Sequence, residues 1–117
     1  MTIMTVYKVR ISRSAMRDMD DLEDFLKSVM SQSGANKYID NMIAEVQSLS
    51  VYADLYRPST MADIRQYHPK ARRMVSHNRR WCFIFHVEDD MVIVDRIRPS
   101  KMIARWMPII PTIRAAD

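Results

Sequence analysis

Six arginines, Arg72, Arg73, Arg79, Arg80, Arg96 and Arg98, fall between positions 72 and 98, with Lys70 and Lys101 at the margins. A guanidinium binds carboxylates and phosphates through parallel N–H donors and stays charged at any working pH. Gathered on one surface, such residues fit two kinds of chemistry. They can grip an acidic protein segment, for which all eight basic residues are candidates. Alternatively, Arg72, Arg73, Arg80 and Arg98 can hold a scissile phosphate and stabilise charge developing in its cleavage. Cleavage also needs a general acid or base within reach. After Tyr67 the chain has no tyrosine, and its strand residues offer only His77, His86 and a few carboxylates for that role.

Other reactive residues carry weaker signals. His68, His77 and His86 stand nine residues apart, and none shares a helix face or tight turn with another. No second cysteine or paired carboxylate supports them, so their spacing predicts no metal site. Cys82 lies between Trp81 and Phe83 on an alternating segment. A nucleophilic thiol needs a lowered pKa and a nearby base. His86 is four residues along an extended strand, about 13 Å away at about 3.3 Å per residue. Cys82 is therefore expected to be a small buried hydrophobe. With Gly34 the only glycine, the chain holds no Gly-rich phosphate loop, and no cofactor is expected.

The charge is unevenly distributed. Between Ser14 and Ser50, three bases (Arg17, Lys27, Lys37) face seven acids, while from Arg57 to Arg105 eleven bases face five acids. An acidic first half and a basic second half fit a surface that attracts something negative. At 117 residues, 48% of them hydrophobic, the chain supports one folded domain with one core. A single cysteine suits a reducing cytoplasm. No apolar run reaches membrane-spanning length, and Met1 to Arg10 lacks the apolar centre of an export signal. The expected location is the cytoplasm.

The elements that must position these groups follow from periodicity. Thr5 to Ile11 alternates and is β-branched, as a strand does. Ser12 or Ser14 can cap a helix whose stripe is Met19, Leu22, Leu26 and Val29, with Asp18, Asp20, Asp21, Glu23 and Asp24 in its first half. Gly34 is expected to end it. A second helix is predicted from about Asn36 to Ser48, with the stripe Ile39, Met42, Ile43, Val46 and Leu49. The short connection makes an antiparallel helical hairpin. Pro58 and Pro69 interrupt Val51 to Lys70, where Ser59 to Gln66 reads as a helical turn. Three short strands follow: Ala71 to Ser76, Trp81 to Val87, and Met91 to Arg98, joined by turns at His77-Asn78-Arg79 and Glu88-Asp89-Asp90. Ser100 to Met107 reads as a short helix. The expected architecture is α+β with order β-α-α-β-β-β, the hairpin packed on one face of a small, mainly antiparallel four-stranded sheet. Residues 1–107 form the single domain and residues 108–117 a tail.

This order carries a resemblance. Lys70-Ala71-Arg72-Arg73-Met74-Val75, Trp81 to Asp90 (WCFIFHVEDD) and Val92-Ile93-Val94-Asp95-Arg96-Ile97 together resemble the RelE/ParE superfamily of type II toxin–antitoxin toxins, and look closest to the ParE branch. The resemblance spans roughly Tyr7 to Ile103. It implies a partner, a small antitoxin whose C-terminal segment wraps the toxin across the helical hairpin and sheet edge. Lys70, Arg72 and Arg73 match basic positions of the superfamily on the second strand, and Arg98 or Lys101 those after the last strand. The RNA-cleaving branch keeps a catalytic arginine after the strand's aromatic residue, where this chain has Cys82. The branch's tyrosine near the C-terminus has no counterpart here. The resemblance therefore implies a toxin that poisons DNA gyrase by protein–protein contact and is not itself an enzyme. The alternatives are a RelE-like, metal-independent and ribosome-dependent mRNA endoribonuclease, or a degenerate member that only binds antitoxin.

Overall fold

The structure, a computed structural model, describes residues 5–100. The elements are β1 (Lys8–Ile11), α1 (Arg13–Val29), α2 (Gln32–Gln47), α3 (Leu49–Tyr52), a 3-10 turn (Ala53–Leu55), α4 (Ala62–Arg65), β2 (Arg72–Val75), β3 (Trp81–Glu88) and β4 (Met91–Pro99). The sheet order is β1-β4-β3-β2. β4 pairs antiparallel with β3 and parallel with β1, with Lys8 opposite Met91 and Ile11 opposite Val94. β2 pairs antiparallel with β3. The sheet is thus mixed and mostly antiparallel, with the expected β-α-α-β-β-β order.

Both long helices cover one face. Ala15, Met19, Leu22 and Leu26 of α1 and Ala35, Ile39, Met42 and Val46 of α2 meet Phe83 and Phe85 of β3 and Val92, Val94 and Ile97 of β4 in one buried cluster. Tyr56 sets its ring edge-on to Phe85, with centroids 5.9 Å apart. The apolar spacing of 4, 3 and 4 along α1 starts at Ala15, so Val29, expected on the inner stripe, lies outside and is 60% exposed. Ile43 lies at the margin of the core, half-buried.

The helix boundaries depart from expectation at Gly34. α1 stops at Val29 because Met30 turns extended. Ser31 then caps α2, its Oγ accepting from Gly34 N–H at 3.1 Å. Gly34 therefore sits in the first turn of α2 instead of ending α1. Ser12 caps α1 by accepting from Ala15 N–H at 3.1 Å and donates to the Asp95 carbonyl at 3.0 Å. The first turn of α1 contains no acid. The dipole effect fades within one turn, so the acids from Asp18 onward owe little to it.

The strand expected from Thr5 begins only at Lys8, because Tyr7 leaves the sheet line to donate from its N–H to the Ser50 carbonyl at 2.8 Å. The strand expected over Ala71 to Ser76 is confined to Arg72–Val75. Residues 53–56 stay with the helix-side core, and the chain from 61 to 71 folds across the far face of the sheet. Ile64 of α4 is fully buried there with Ala71, Cys82 and Ile84, flanked by Met61 and Tyr67. A second small core thus covers the side that the helical hairpin leaves open. Asp89 turns β3 into β4 with φ 55°, a left-handed conformation that Asp tolerates better than most residues. The helix expected over Ser100 to Met107, and the tail after it, lie outside the described residues.

Candidate partner-binding surface

Strand register decides where each arginine goes, because directly opposed residues share a sheet face. Arg73 lies opposite Ile84, and Ile84 opposite Arg96. Val75, Cys82 and Arg98 form the next row. Arg73, Arg96 and Arg98 therefore belong to the far face, the one α1 and α2 do not cover. Arg72 alternates to the helix side. Its Nη1 donates to the Ala53 carbonyl at 3.0 Å and lies 3.5 Å from Asp54 Oδ1. Its Nε is buried without a hydrogen-bond partner among the described residues. The four arginines that cleavage would require are thus not brought onto one face: Arg72 and Arg73 are consecutive on β2 and point to opposite faces, and Arg80 lies in the β2–β3 turn.

Arg79 and Arg80 project from the β2–β3 turn, and both are exposed. The turn is internally built. Ser76 Oγ donates to Asn78 Oδ1 at 2.6 Å, and the same oxygen accepts from Arg80 N–H at 3.0 Å. Arg79 takes the left-handed region at φ 62°. Tyr38 of α2 anchors the turn, its hydroxyl accepting from Asn78 Nδ2 at 3.0 Å and from Trp81 Nε1 at 2.9 Å. Glu45 accepts from His77 N–H at 2.7 Å. Ser100 N–H donates to the Arg80 carbonyl at 3.0 Å, which brings the end of β4 and Arg98 to the same end of the sheet. A hollow of about 470 Å³ lies there among Asn78, Arg79, Arg80, Trp81, Pro99 and Ser100.

Arg96 turns around the sheet edge. Asp18 Oδ2 accepts from Arg96 Nε at 2.8 Å, and Asp18 Oδ1 from Nη2 at 3.0 Å. These bonds hold the guanidinium pKa above its usual value, against a weaker opposing effect of burial. The Arg96 guanidinium carbon also lies 5.8 Å from the Tyr67 ring centroid, within cation–π range. Lys70 sits at the opposite end of β2, and its backbone N–H donates to His68 Nδ1 at 3.0 Å. Lys101 lies outside the described residues.

Sequence spacing missed one arrangement. His68 and His86, expected to stand apart, stack with ring centroids 3.8 Å apart and planes at 3°. A bulge makes this neighbourhood. Ile84 pairs with Arg96 but Phe85 with Val94, so Asp95 is the extra residue of β4. Asp95 reaches His86 Nδ1 at 2.7 Å, and Glu88 Oε2 lies 3.2 Å from His86 Nε2. Burial raises the Asp95 pKa, and the His86 hydrogen bond and charge only partly offset it. The period-2 pattern of β4 gives no signal of the bulge that brings Asp95 to His86. Cys82 is fully buried, and burial pushes its thiol up to about 11, with Arg73 opposing weakly. It is a packing residue, as its place between two aromatics implied.

Residues 9–104 match the family described as ParE toxin of type II toxin-antitoxin system, parDE. Among solved structures, the chain is similar to one from the chromosomal ParDE toxin–antitoxin system of P. aeruginosa, with TM-score 0.68 and 20% identity over 81% of this chain and 97% of that one. At that identity the likeness speaks for the fold. No curated protein matches the chain. With the family match spanning both the helical hairpin and the arginine-bearing strands, the chain belongs to the ParE toxins of type II toxin–antitoxin systems.

Proposed function

We propose that this toxin arrests growth in the cytoplasm by protein–protein contact with DNA gyrase, and that a cognate antitoxin neutralises it by covering its basic surface. One observation carries the reading: Arg73 and Arg96 flank Ile84 in a single cross-strand row, with Arg98 one row on. Arg79 and Arg80 extend this surface at the adjoining turn, and Lys70 precedes β2 at its other end. Cations fixed on a sheet suit an acidic, disordered segment that orders as it binds. Arg72 stands apart, because its guanidinium is held against Ala53 and Asp54 on the other face. A cleavage site would need that group beside the others, together with a free acid or base. The Cys82 thiol is protonated, and His86 is engaged by two carboxylates.

The test is to induce the toxin alone and follow both routes. Inhibition of gyrase supercoiling by purified protein, with DNA breaks preceding any loss of mRNA, is expected. Arg73→Ala with Arg79→Ala and Arg80→Ala should weaken that inhibition and antitoxin binding while far-UV circular dichroism stays unchanged. Ribosome-dependent mRNA cleavage lost with the same substitutions would establish an endoribonuclease instead. Antitoxin binding without growth arrest would establish an inactive member.

A further inference from the structure

We propose that His68, His86 and Glu88 form a binding site for a divalent transition-metal ion of the Zn²⁺ class, with Asp95 holding His86 in the ligating tautomer. One donor atom from each of the three lies within 4.8 Å of the others. Asp95 Oδ2, at 2.7 Å, accepts a hydrogen bond from His86 Nδ1–H. That bond leaves Nε2 as the ring atom available to ligate. Nε2 lies 3.2 Å from Glu88 Oε2, so the two atoms face each other across a short gap. A ring proton shared with Glu88 can fill that gap, and a divalent ion that displaces the proton is held by both atoms. A carboxylate on the far ring nitrogen is the usual support of a metal-bound imidazole, because it fixes the ring and raises its basicity.

The donor set chooses the ion. Two imidazole nitrogens and one carboxylate oxygen suit Zn²⁺, Co²⁺ or Ni²⁺, whereas Mg²⁺ and Ca²⁺ favour all-oxygen shells. Zn–N and Zn–O bonds of about 2.0–2.2 Å require the donors to close in from their present spacing. The parts free to move are the right ones. Glu88 has a side chain 64% exposed, and His68 sits in the loop before β2, only half-buried. His86 and Asp95 stay fixed in the sheet. Binding turns the two rings out of their parallel stack. Where His68 ligates through Nε2, its proton moves to Nδ1 and the exposed contact from Lys70 N–H is lost. The bound ion then ties the loop after α4 to the end of β3, on the far face of the sheet.

Titration of the full, tag-free chain with Co²⁺ tests this through the visible ligand-field absorption, with Zn²⁺ calorimetry for stoichiometry. One ion per chain is expected. Glu88→Gln and His68→Ala should each weaken binding roughly tenfold or more, and Asp95→Asn by a similar factor through its hold on His86. His77→Ala, which alters an exposed imidazole elsewhere, should leave affinity unchanged. Zn²⁺ should raise the Tm of the wild type but not of His68→Ala/Glu88→Gln, since a ligand stabilises only the state it binds. Circular dichroism confirms that both exposed-side variants fold. No binding to the wild type, equal affinity in His68→Ala and Glu88→Gln, or loss in His77→Ala would each overturn the site.

Discussion

Asp18 on α1 closes the free edge of β4 at Arg96. Its two oxygens take Nε and Nη2 of that residue, and Oδ2 also accepts from the Ile97 N–H at 2.9 Å. β1 ends its pairing at Val94, so beyond that point β4 has no strand neighbour on this side. One carboxylate thus replaces the missing strand and joins the acidic helix to the basic sheet.

Removal of that carboxylate should cost stability out of proportion to one ion pair. Asp18 has a side chain only 13% exposed and Arg96 29%. Asp18→Ala leaves a charged group and a backbone N–H unsatisfied, an expected loss of about 2–3 kcal/mol. Asp18→Asn retains one acceptor and should lose less. Urea denaturation checks both. Equal stability of Asp18→Ala and the wild type would mean the edge is satisfied by water.

The β2–β3 turn offers a second measurement. Tyr38 accepts from both Asn78 and Trp81, so Tyr38→Phe removes two hydrogen bonds at once. A loss of about 1–2 kcal/mol is expected. Because the turn presents Arg79 and Arg80, partner affinity should fall with no change at either arginine. Calorimetry with the purified antitoxin reads this directly.

How far the sequence discloses this fold depends on whether a signal is local. Phe83 and Phe85 alternate with Cys82 and Ile84, and the two faces of β3 follow from that alone. The α1 stripe is equally plain from Met19 to Leu26, whereas Ser12 and Ser14 are both possible caps until Ser12 is seen to accept from Ala15 N–H. Gly34 misled because a helix C-cap and a helix first turn can both hold glycine, and Ser31 decided the matter. Ser59 to Gln66 reads only as a helical turn, yet its Ile64 is the plug of the far face. Its partners, Ala71, Cys82 and Ile84, come from another part of the chain. The His68–His86 stack is non-local in the same way, and Asp95 beside it is the extra residue of a bulge that no alternation records. Arg72 and Arg73 looked equivalent as neighbours in a basic run. Strand geometry sends them to opposite faces.

Cys82 gives a prediction in pH. Its thiol pKa rises from 9.0 to about 11 on folding because burial disfavours the thiolate. A group with a raised folded pKa contributes its stability in full below the unfolded value and loses it as pH climbs toward the folded one. Stability should therefore decline between about pH 9 and pH 11. Cys82→Ser should flatten that decline, at a cost of about 1–2 kcal/mol near neutrality. Native protein at pH 8 should resist alkylation until it unfolds. Growth arrest by Cys82→Ser should match the wild type at equal protein levels, and its loss in a folded variant would give the thiol a functional part.

Single substitutions at Arg72 and Arg73 should separate folding from recognition. The Arg72 side chain is 18% exposed, donates to the Ala53 carbonyl and faces Asp54. Arg72→Ala frees that carbonyl and loosens the 3-10 turn that Tyr7 also reaches, its hydroxyl donating to Asp54 Oδ1 at 2.8 Å. A loss of about 1–2 kcal/mol is expected, with binding affected only as far as folding is. Arg73 is exposed on the far face, beside Ile84. Arg73→Ala should leave stability within about 0.5 kcal/mol of the wild type, as surface substitutions do. It should instead weaken antitoxin binding, and more so at low salt, where surface charges are least screened. Denaturation and salt-dependent calorimetry on the two variants make the comparison. The reverse pattern, a stable Arg72→Ala that fails to bind and a destabilised Arg73→Ala that binds normally, would place the partner on the helix side of β2 and overturn the far-face surface.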